Sequence, residues 1–310
     1  MSMHLFGAVV TGHGVAANNR GETEGNVTTL QKILWNGDVH TTVSAEAIRW
    51  AIRAAWQRQG LPVNRNWDED LRRHEWQDPD FEQAAEPFID DDVLGFMSAQ
   101  AARAEAEDEG EATTGRGRGR ARGRALVRRS RLEVTRAVSL TPWPGDVVFS
   151  VASVGATPSA ATRGAFPVPY SAEVHATRYQ YGFALTPEAL IRRERALDVV
   201  DAIVGLGDVA GNHARFFFDF APDTIVFRWT QDFAPRLLYP FVLDSGGTLA
   251  APELLRRVEA GDIRPEELII GGSLAQTRDG ARLREAGASV HVGVKQAAEE
   301  VKDKLRTVIE

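Results

Sequence analysis

The sequence predicts an α+β protein with a ferredoxin-like core, and three observations support this prediction. Apolar runs typical of strands alternate with amphipathic stretches typical of helices, in the order strand–helix–strand–strand–helix–strand. The 310 residues are 43% hydrophobic, which is enough for a sizeable core. A long polar stretch follows the first helix, and its composition predicts an insertion into one domain.

The first strand and the first helix have clear local signals. The strand is predicted over residues 4–17, where an apolar run ends in glycines. Thr42 or Ser44 can cap the helix, and Gly60 with Pro62 ends it. These elements predict a first part of the core over residues 1–60.

The insertion is predicted over residues 61–126, where the chain becomes charged and aromatic. Its last part is an acidic run followed by RGRGRARGR, which cannot bury enough apolar surface to fold alone. The remainder of the core is predicted over residues 127–310, and an extended hairpin within it over about residues 155–182.

The second half of the chain supplies the remaining elements of the pattern. We predict strands in LEVTRAVSLTPW, DVVFSVASVG, HARFFFDFAP and TIVFRWTQ, and EELIIGGSL lies between the last two predicted helices. We predict helices in TPEALIRRERALDVVDAIVGLG, LAAPELLRRVEAG and VKQAAEEVKDKLRTVIE.

Composition narrows the functional classes. The net charge of −7 argues against indiscriminate binding of nucleic acid by the whole surface. The absence of cysteine excludes disulfides and thiol catalysis and fits a reducing compartment. The sequence shows neither a signal peptide nor an apolar run of the ~20 residues that span a membrane, so we expect a cytoplasmic protein with no membrane partner.

The first helix carries two arginines that can bind an anion. Arg49 and Arg53 lie four residues apart, and like charges at that spacing are unfavourable unless an anion or acidic partner lies between them. A solvated face or pairing with acidic residues is the alternative. Nearby donors suited to a sugar-phosphate backbone are Asn18, Asn19, Arg20, Lys32, Thr41, Thr42 and Ser44.

Catalytic and metal-binding patterns are weak. The seven histidines are scattered, and His13, after the first strand, is more simply a core or surface histidine than a general base. The run Asp90–Asp92 could bind a hard cation, but a turn or a helix start is favoured because consecutive side chains do not converge easily. We therefore expect no catalytic residue, no metal and no cofactor.

The hairpin between residues 157 and 181 interleaves aromatic residues with arginines, a pattern suited to stacking on bases. Core packing is an equally good interpretation of Tyr179 and Tyr181. The residues of this pattern are Arg163, Phe166, Tyr170, Arg178, Tyr179 and Tyr181.

Several segments together resemble a known family. In chain order they are GAVVTGHGVAANNRGETEGN, GDVHTTVSAEAIRWAIR, DDDVLGFM, RRSRLEVTRAVSL and PYSAEVHATRYQYGFAL. This order resembles the DevR type of CRISPR-associated backbone subunits, which belong to the RAMP superfamily and form the filament of type I Cascade complexes. The later GNHARFFFDFAP and GGSL extend the resemblance over nearly the whole chain.

The resemblance implies an RRM-like palm, a fingers insertion after the first helix and a thumb hairpin. It implies a non-catalytic subunit whose copies stack head to tail along the guide RNA (crRNA), with target DNA recognised by guide pairing. The other implied partners are a handle-binding cap subunit, a large subunit and a guide-processing endonuclease. The predicted RNA-binding residues are Asn18, Asn19, Arg20, Lys32, His40, Thr42, Ser44, Arg49, Arg53, Arg163, Phe166 and Arg178.

The arginine–glycine run lies in the insertion, just before the family pattern resumes. It either contacts the displaced or target DNA strand or forms a loop neutralised by the preceding EAEDEGE, and we favour DNA contact. The candidate residues are Arg116, Arg118, Arg120, Arg122, Arg124, Arg128, Arg129 and Arg131.

Two other functional classes remain open. A RAMP ribonuclease acting on precursor or target RNA would use a base such as His13 or His40, or a metal at Asp90–Asp92. An interaction protein would bind no nucleic acid at all.

Overall fold

The computed structural model describes residues 2–17, 22–83, 85–98, 126–151, 169–209 and 217–309. A nine-stranded sheet forms its centre. The strands are β1 (His4–Thr11), β2 (Lys32–Trp35), β3 (Asp38–Val43), β4 (Leu132–Val134), β5 (Ala137–Ser139), β6 (Tyr179–Leu185), β7 (Pro222–Thr230), β8 (Leu268–Gly272) and β9 (Ser289–His291).

The strands follow the order β9-β8-β7-β1-β6-β5-β3-β2, and β4 pairs with β6. Every ladder of this sheet is antiparallel except the parallel pair β8–β9. The described helices are α1 (Ala45–Arg58), α2 (Ile89–Leu94), α3 (Arg195–Val204), α4 (Pro252–Glu259), α5 (Arg278–Ala286) and α6 (Val294–Ile309), with short 3-10 turns at Pro187–Ala189, Pro265–Glu267 and Ser273–Gln276.

Both faces of the central sheet are covered. From β1, Leu5 and Val9 belong to the core that contains residues of α1, α3 and α6. Phe6, Ala8 and Val10 point to the opposite face, into the core formed with α4 and α5. Because both faces are buried, β1 is a continuous apolar run rather than an alternating one.

The capping signals of α1 are confirmed. Ser44 is its N-cap, and the hydroxyl of Ser44 accepts a hydrogen bond from the backbone N–H of Ala47 at 3.2 Å. The helix ends at Arg58, and Gly60 follows with a φ of 77°, a conformation that glycine adopts without strain. Ile48, Ile52 and Trp56 are fully buried and attach the helix to the core.

Three sequence predictions of secondary structure are wrong in part. The strand predicted over residues 4–17 divides, because β1 ends at Thr11 and Gly14–Ala16 pairs separately with His175–Thr177. The strand predicted in HARFFFDFAP is absent over residues 217–221, which are irregular although Phe218 and Phe220 are buried.

The helix predicted over residues 186–207 begins only at Arg195. Upstream of it, the backbone N–H groups of Ile191 and Arg192 donate to the carboxylate of Asp92 rather than to helical carbonyls. This tertiary contact replaces the first turns of the predicted helix.

Elements that were not predicted from the sequence include α5, β9 and several hairpins. An Asn36–Gly37 turn with φ values of 51° and 95° joins β2 to β3, so an Asn-Gly hairpin signal was present in the sequence. Within residues 61–126, Arg65–Asp68 pairs with Arg73–Trp76.

Smaller ladders complete the described fold. Phe96–Ser98 pairs with Leu126–Arg128, and Val242–Leu243 pairs with Leu249–Ala250. A four-stranded sheet contains Val147–Val151, Pro169–Glu173, Val27–Thr28 and Thr23–Glu24 in that order. Across the described ranges, no helix is long and apolar enough to cross a bilayer.

Candidate nucleic-acid interface

The start of α1 is buried more deeply than the sequence analysis expected. The Thr42 and Ser44 side chains are both buried and accept hydrogen bonds from within the protein. The donor to the Thr42 hydroxyl is Nη1 of Arg136, at 3.2 Å, and the same Nη1 lies 3.4 Å from Oε1 of Gln31. Arg136 is an exposed cation that the sequence analysis did not single out.

Arg136 differs from Arg53 and Arg128, which both form ion pairs with aspartates. Both of its side-chain acceptors are neutral oxygens, and it forms no ion pair with a described residue. Two hydrogen bonds therefore orient its guanidinium without neutralising its charge. Such a preoriented fork is suited to a phosphate.

Arg49 and Arg53 share one helix face but have different surroundings. Arg53 is only 7% exposed, and its Nε donates to Asp90 Oδ2 at 3.0 Å. Burial is the main cause that lowers its pKa, and nearby Arg65 acts in the same direction. Arg49 is half-buried, and its guanidinium donates to the carbonyl oxygen of Leu94.

The pKa of Arg49 is also lowered, chiefly by burial, while Glu46 opposes that shift. Arg49 has no ion pair with any residue in the described part of the chain. Of the two predicted phosphate contacts on α1, Arg49 is thus the more available cation and Arg53 is engaged with Asp90.

Lys32 links β2 to the sheet at the base of the predicted thumb. Its Nζ donates to both carboxylate oxygens of Glu173, at 2.6 and 2.7 Å. The same Nζ lies 4.2 Å from the centre of the Trp143 ring. Lys32 therefore holds Pro169–Glu173 against the central sheet in the free protein.

His40 lies inside a buried polar network. Its Nδ1 is 2.7 Å from the carbonyl oxygen of Ser139. Next to it, the Thr41 hydroxyl is 2.7 Å from both Nδ1 of His175 and the Tyr179 hydroxyl. Burial lowers the pKa of His175 to about 4, so this imidazole is neutral at physiological pH. The network is structural in its geometry, and His40 does not face solvent.

The predicted hairpin residues divide into two groups. Tyr179 and Tyr181 are fully buried in β6, so the core-packing interpretation is correct for both. Arg178 Nη1 donates to the carbonyl oxygen of Thr11 at 3.0 Å and to Asp223 Oδ2 at 2.9 Å, and it braces β1 against β7. Arg163 and Phe166, like Asn18, Asn19 and Arg20, lie outside the described residues.

The three consecutive aspartates lie in α2 and are all buried. Asp90 Oδ1 accepts from the backbone N–H of Asn64 at 2.7 Å, in addition to its pair with Arg53. Asp91 accepts from Nδ2 of Asn64, and burial followed by the charge of Asp90 raises the pKa of Asp91 to about 7. This bears out the favoured helix interpretation over a cation site.

Asp92 joins the insertion to the chain before α3. Its carboxylate pairs with Arg128 and with Arg195, whose Nη1 lies 2.8 Å from Oδ2. The described residues contain no group of three or more His, Asp or Glu that could hold a metal ion. The aspartates therefore serve attachment.

The candidate DNA-contacting arginines within the described ranges are Arg128, Arg129 and Arg131. Arg128 is engaged with Asp92, whereas Arg129 is 83% exposed and paired with Glu133 at 3.1 Å. Arg131 has a buried Nε with no hydrogen-bond partner among the described residues. The five arginines from Arg116 to Arg124 lie outside the described residues.

Comparison with known proteins decides the family. Residues 13–196 match the family model described as CRISPR-associated negative auto-regulator DevR/Csa2. The chain belongs to the DevR/Csa2 family. A protein of Myxococcus xanthus (strain DK1622), described as "CRISPR-associated protein Cas7/Cst2/DevR", is 50% identical over 302 residues, which cover 95% of each chain. The resemblance found in the sequence is thereby confirmed.

Solved structures share the fold of this DevR/Csa2 chain. A chain of a "CRISPR RNA-guided surveillance complex, pre-nicking" superposes with a TM-score of 0.57 at 13% identity, covering 97% of this chain and 99% of that one. A chain of a second "CRISPR RNA-guided surveillance complex" gives 0.53 at 13% identity, with coverages of 96% and 99%. The family signal and the shared fold extend over the regions that carry Arg49 and Arg136.

Proposed function

We propose that this protein is a non-catalytic backbone subunit of a type I CRISPR Cascade complex, and that it binds the sugar-phosphate backbone of the guide RNA. The observation that carries the proposal is Arg136, an exposed guanidinium oriented by neutral oxygens of Thr42 and Gln31. Membership of the DevR/Csa2 family and the fold shared with chains of surveillance complexes support the same function.

The strand order supports a ferredoxin-like, RRM-like palm. Along the chain, β1, β5, β6 and β7 are separated by α1 and α3 as the pattern requires, and in the sheet they lie in the order β7-β1-β6-β5. In this proposal, residues 61–126 are the fingers, and the thumb hairpin extends over about residues 155–182.

The proposed partners follow from a backbone role. They are the guide RNA, target DNA recognised by pairing with the guide, further copies of this chain along the RNA, and the cap, large and guide-processing subunits. The structural relatives are chains of RNA-guided surveillance complexes, which supports guide RNA and other subunits of such a complex as partners.

A non-catalytic role agrees with the surroundings of three of the candidate bases and acids, His40, Asp90 and Asp92. His40 is buried against Ser139, and the carboxylates of Asp90 and Asp92 are occupied by arginines. Neither arrangement leaves a group free to activate a 2′-hydroxyl or a metal-bound water.

The test measures RNA bound by the full chain and its salt dependence. Protein purified from cells that express the guide locus should carry RNA of uniform length. Arg49→Gln and Arg136→Gln should each weaken RNA binding and flatten the plot of log affinity against log salt by about 0.7, the value for one phosphate on a single strand.

Arg256→Gln is the matched control, because Arg256 is exposed and paired with Glu253 on α4. It should leave both quantities unchanged. Protein that carries no RNA and binds it without salt dependence would refute the proposal, and cleaved RNA that becomes intact in His13→Ala would favour the ribonuclease.

A further inference from the structure

A groove of about 510 Å³ lies where β1 begins and β6 ends. Its volume falls in the range of sites that hold a small ligand or one unit of a polymer. Its lining residues include His4, Arg129, Arg131 and Phe233.

The lining of the groove contains two arginines and one carboxylate residue. Arg131 has no ion pair with a described residue, and its buried Nε finds no hydrogen-bond acceptor there. Arg129 is paired with Glu133, which also lines the groove. Because no described carboxylate neutralises Arg131, its positive charge favours an anionic ligand in the groove.

An exposed aromatic ring forms one wall of the groove. Phe233 is 77% exposed, and its ring centre lies 5.1 Å from that of His4 in an edge-on contact. The His4 ring is itself held by a hydrogen bond between Nδ1 and the Thr186 hydroxyl at 2.8 Å. A supported, exposed ring beside arginines is the arrangement on which a nucleic-acid base stacks.

Arg136 lies outside the groove but on the same chain segment as Arg131, which lines it. Residues 131–136 and 233–239 meet over β6, since both Leu238 and Thr135 lie within 4 Å of the position that a Cβ on Gly182 would take. At extended spacing the five residue-to-residue steps from Arg131 to Arg136 span roughly 16 Å.

Near Arg136, an arginine again lies beside aromatic side chains, those of Tyr239 and Trp35. The Tyr239 hydroxyl donates to the carbonyl oxygen of Arg136 at 2.7 Å. The ring of Tyr239 lies 5.0 Å from that of Trp35, also in an edge-on contact.

We infer that residues 129–136 and 233–239 form a track for single-stranded RNA, in which Arg131 and Arg136 contact phosphates and Phe233 stacks on a base. This rests on the proposed function, because it extends the RNA surface from Arg136 to the groove. Charge and an exposed ring select a nucleic-acid strand over an aliphatic peptide.

The experiment measures the anisotropy of a labelled single-stranded RNA titrated with the full-length protein. Phe233→Ala should weaken binding about tenfold, the effect of losing one stacked base, whereas Phe233→Trp should retain binding. Arg131→Gln should reduce the salt slope by about 0.7. Val292→Ala, an exposed apolar residue just after β9, is the matched control and should change nothing.

The outcomes separate the two proposals. If wild-type protein and the Val292→Ala control bind RNA, Arg49→Gln weakens binding, and both groove variants bind normally, the track is refuted while the proposed function stands. If wild-type protein binds no RNA, the proposed function itself fails. If Phe233→Ala alters only the sedimentation of the protein, the groove binds another copy of the chain and the inference is overturned.

Discussion

Asp92→Asn is expected to destabilise the folded protein at the point where the insertion is attached. The Asp92 side chain is fully buried and accepts from four donors, which are the guanidinium groups of Arg128 and Arg195 and the backbone N–H groups of Ile191 and Arg192. Asparagine has nearly the same shape, but its Nδ2 is a donor and would face donors. The substitution also leaves two arginines without their counter-charge.

The expected loss is about 3 kcal/mol in the free energy of unfolding. Removing one partner of a buried ion pair costs ~3–5 kcal/mol, and the lower end applies here because both arginines retain some contact with solvent. Urea unfolding followed by circular dichroism at pH 7 measures it, and the midpoint should fall while the slope stays constant.

Glu86→Gln provides the comparison. Glu86 pairs with Arg192 nearby, but its side chain is 74% exposed, so the loss should stay below ~1 kcal/mol. Equal effects of the two substitutions, or a loss below ~1 kcal/mol for Asp92→Asn, would refute the argument that Asp92 is the attachment point.

Three further outcomes follow from single sites. The pKa of Asp91 is raised to about 7, so its ionisation destabilises the folded state as pH rises from about 4 through 7. Asp91→Asn should therefore become more stable than wild type with rising pH, by at most about 4 kcal/mol in the free energy of unfolding. Urea unfolding at about pH 5 and 8 checks the sign, and a difference that shrinks with pH would contradict it. Ser44→Ala should cost ~1 kcal/mol through the lost cap of α1, and an unchanged urea midpoint would contradict the cap. Gly95→Ala should cost several-fold more unfolding free energy than Ser44→Ala, because Gly95 has a φ of 71° and a Cβ there would lie 2.3 Å from the carbonyl oxygen of Arg128. An unchanged thermal midpoint would contradict the close approach.

The elements that the sequence predicted correctly depend on short-range signals. The Ser44 cap and Gly60 lie beside the helix they bound, and the apolar pattern of β1 lies within eight residues. The predictions that failed depend on distant partners. Asp92, about 100 residues away, takes the N–H groups that the helix predicted over 186–207 needed.

In the candidate site, too, local sequence does not reveal what distant partners decide. From local sequence alone, Arg49 and Arg53 are equivalent, and Arg136 is one arginine among several in RRSRLEVTRAV. Folding buries Arg53 against Asp90, which is 37 residues away, and brings Arg136 to Thr42, which is 94 residues away.

Local sequence was enough to predict the alternation of strands and helices, the limits of α1, and the segments that mark the DevR/Csa2 family. Which arginines are neutralised and which keep an unpaired charge depends on the folded chain. Capping and hydrophobic periodicity act within a few residues, whereas the availability of a charge depends on burial and on partners that long-range packing brings together.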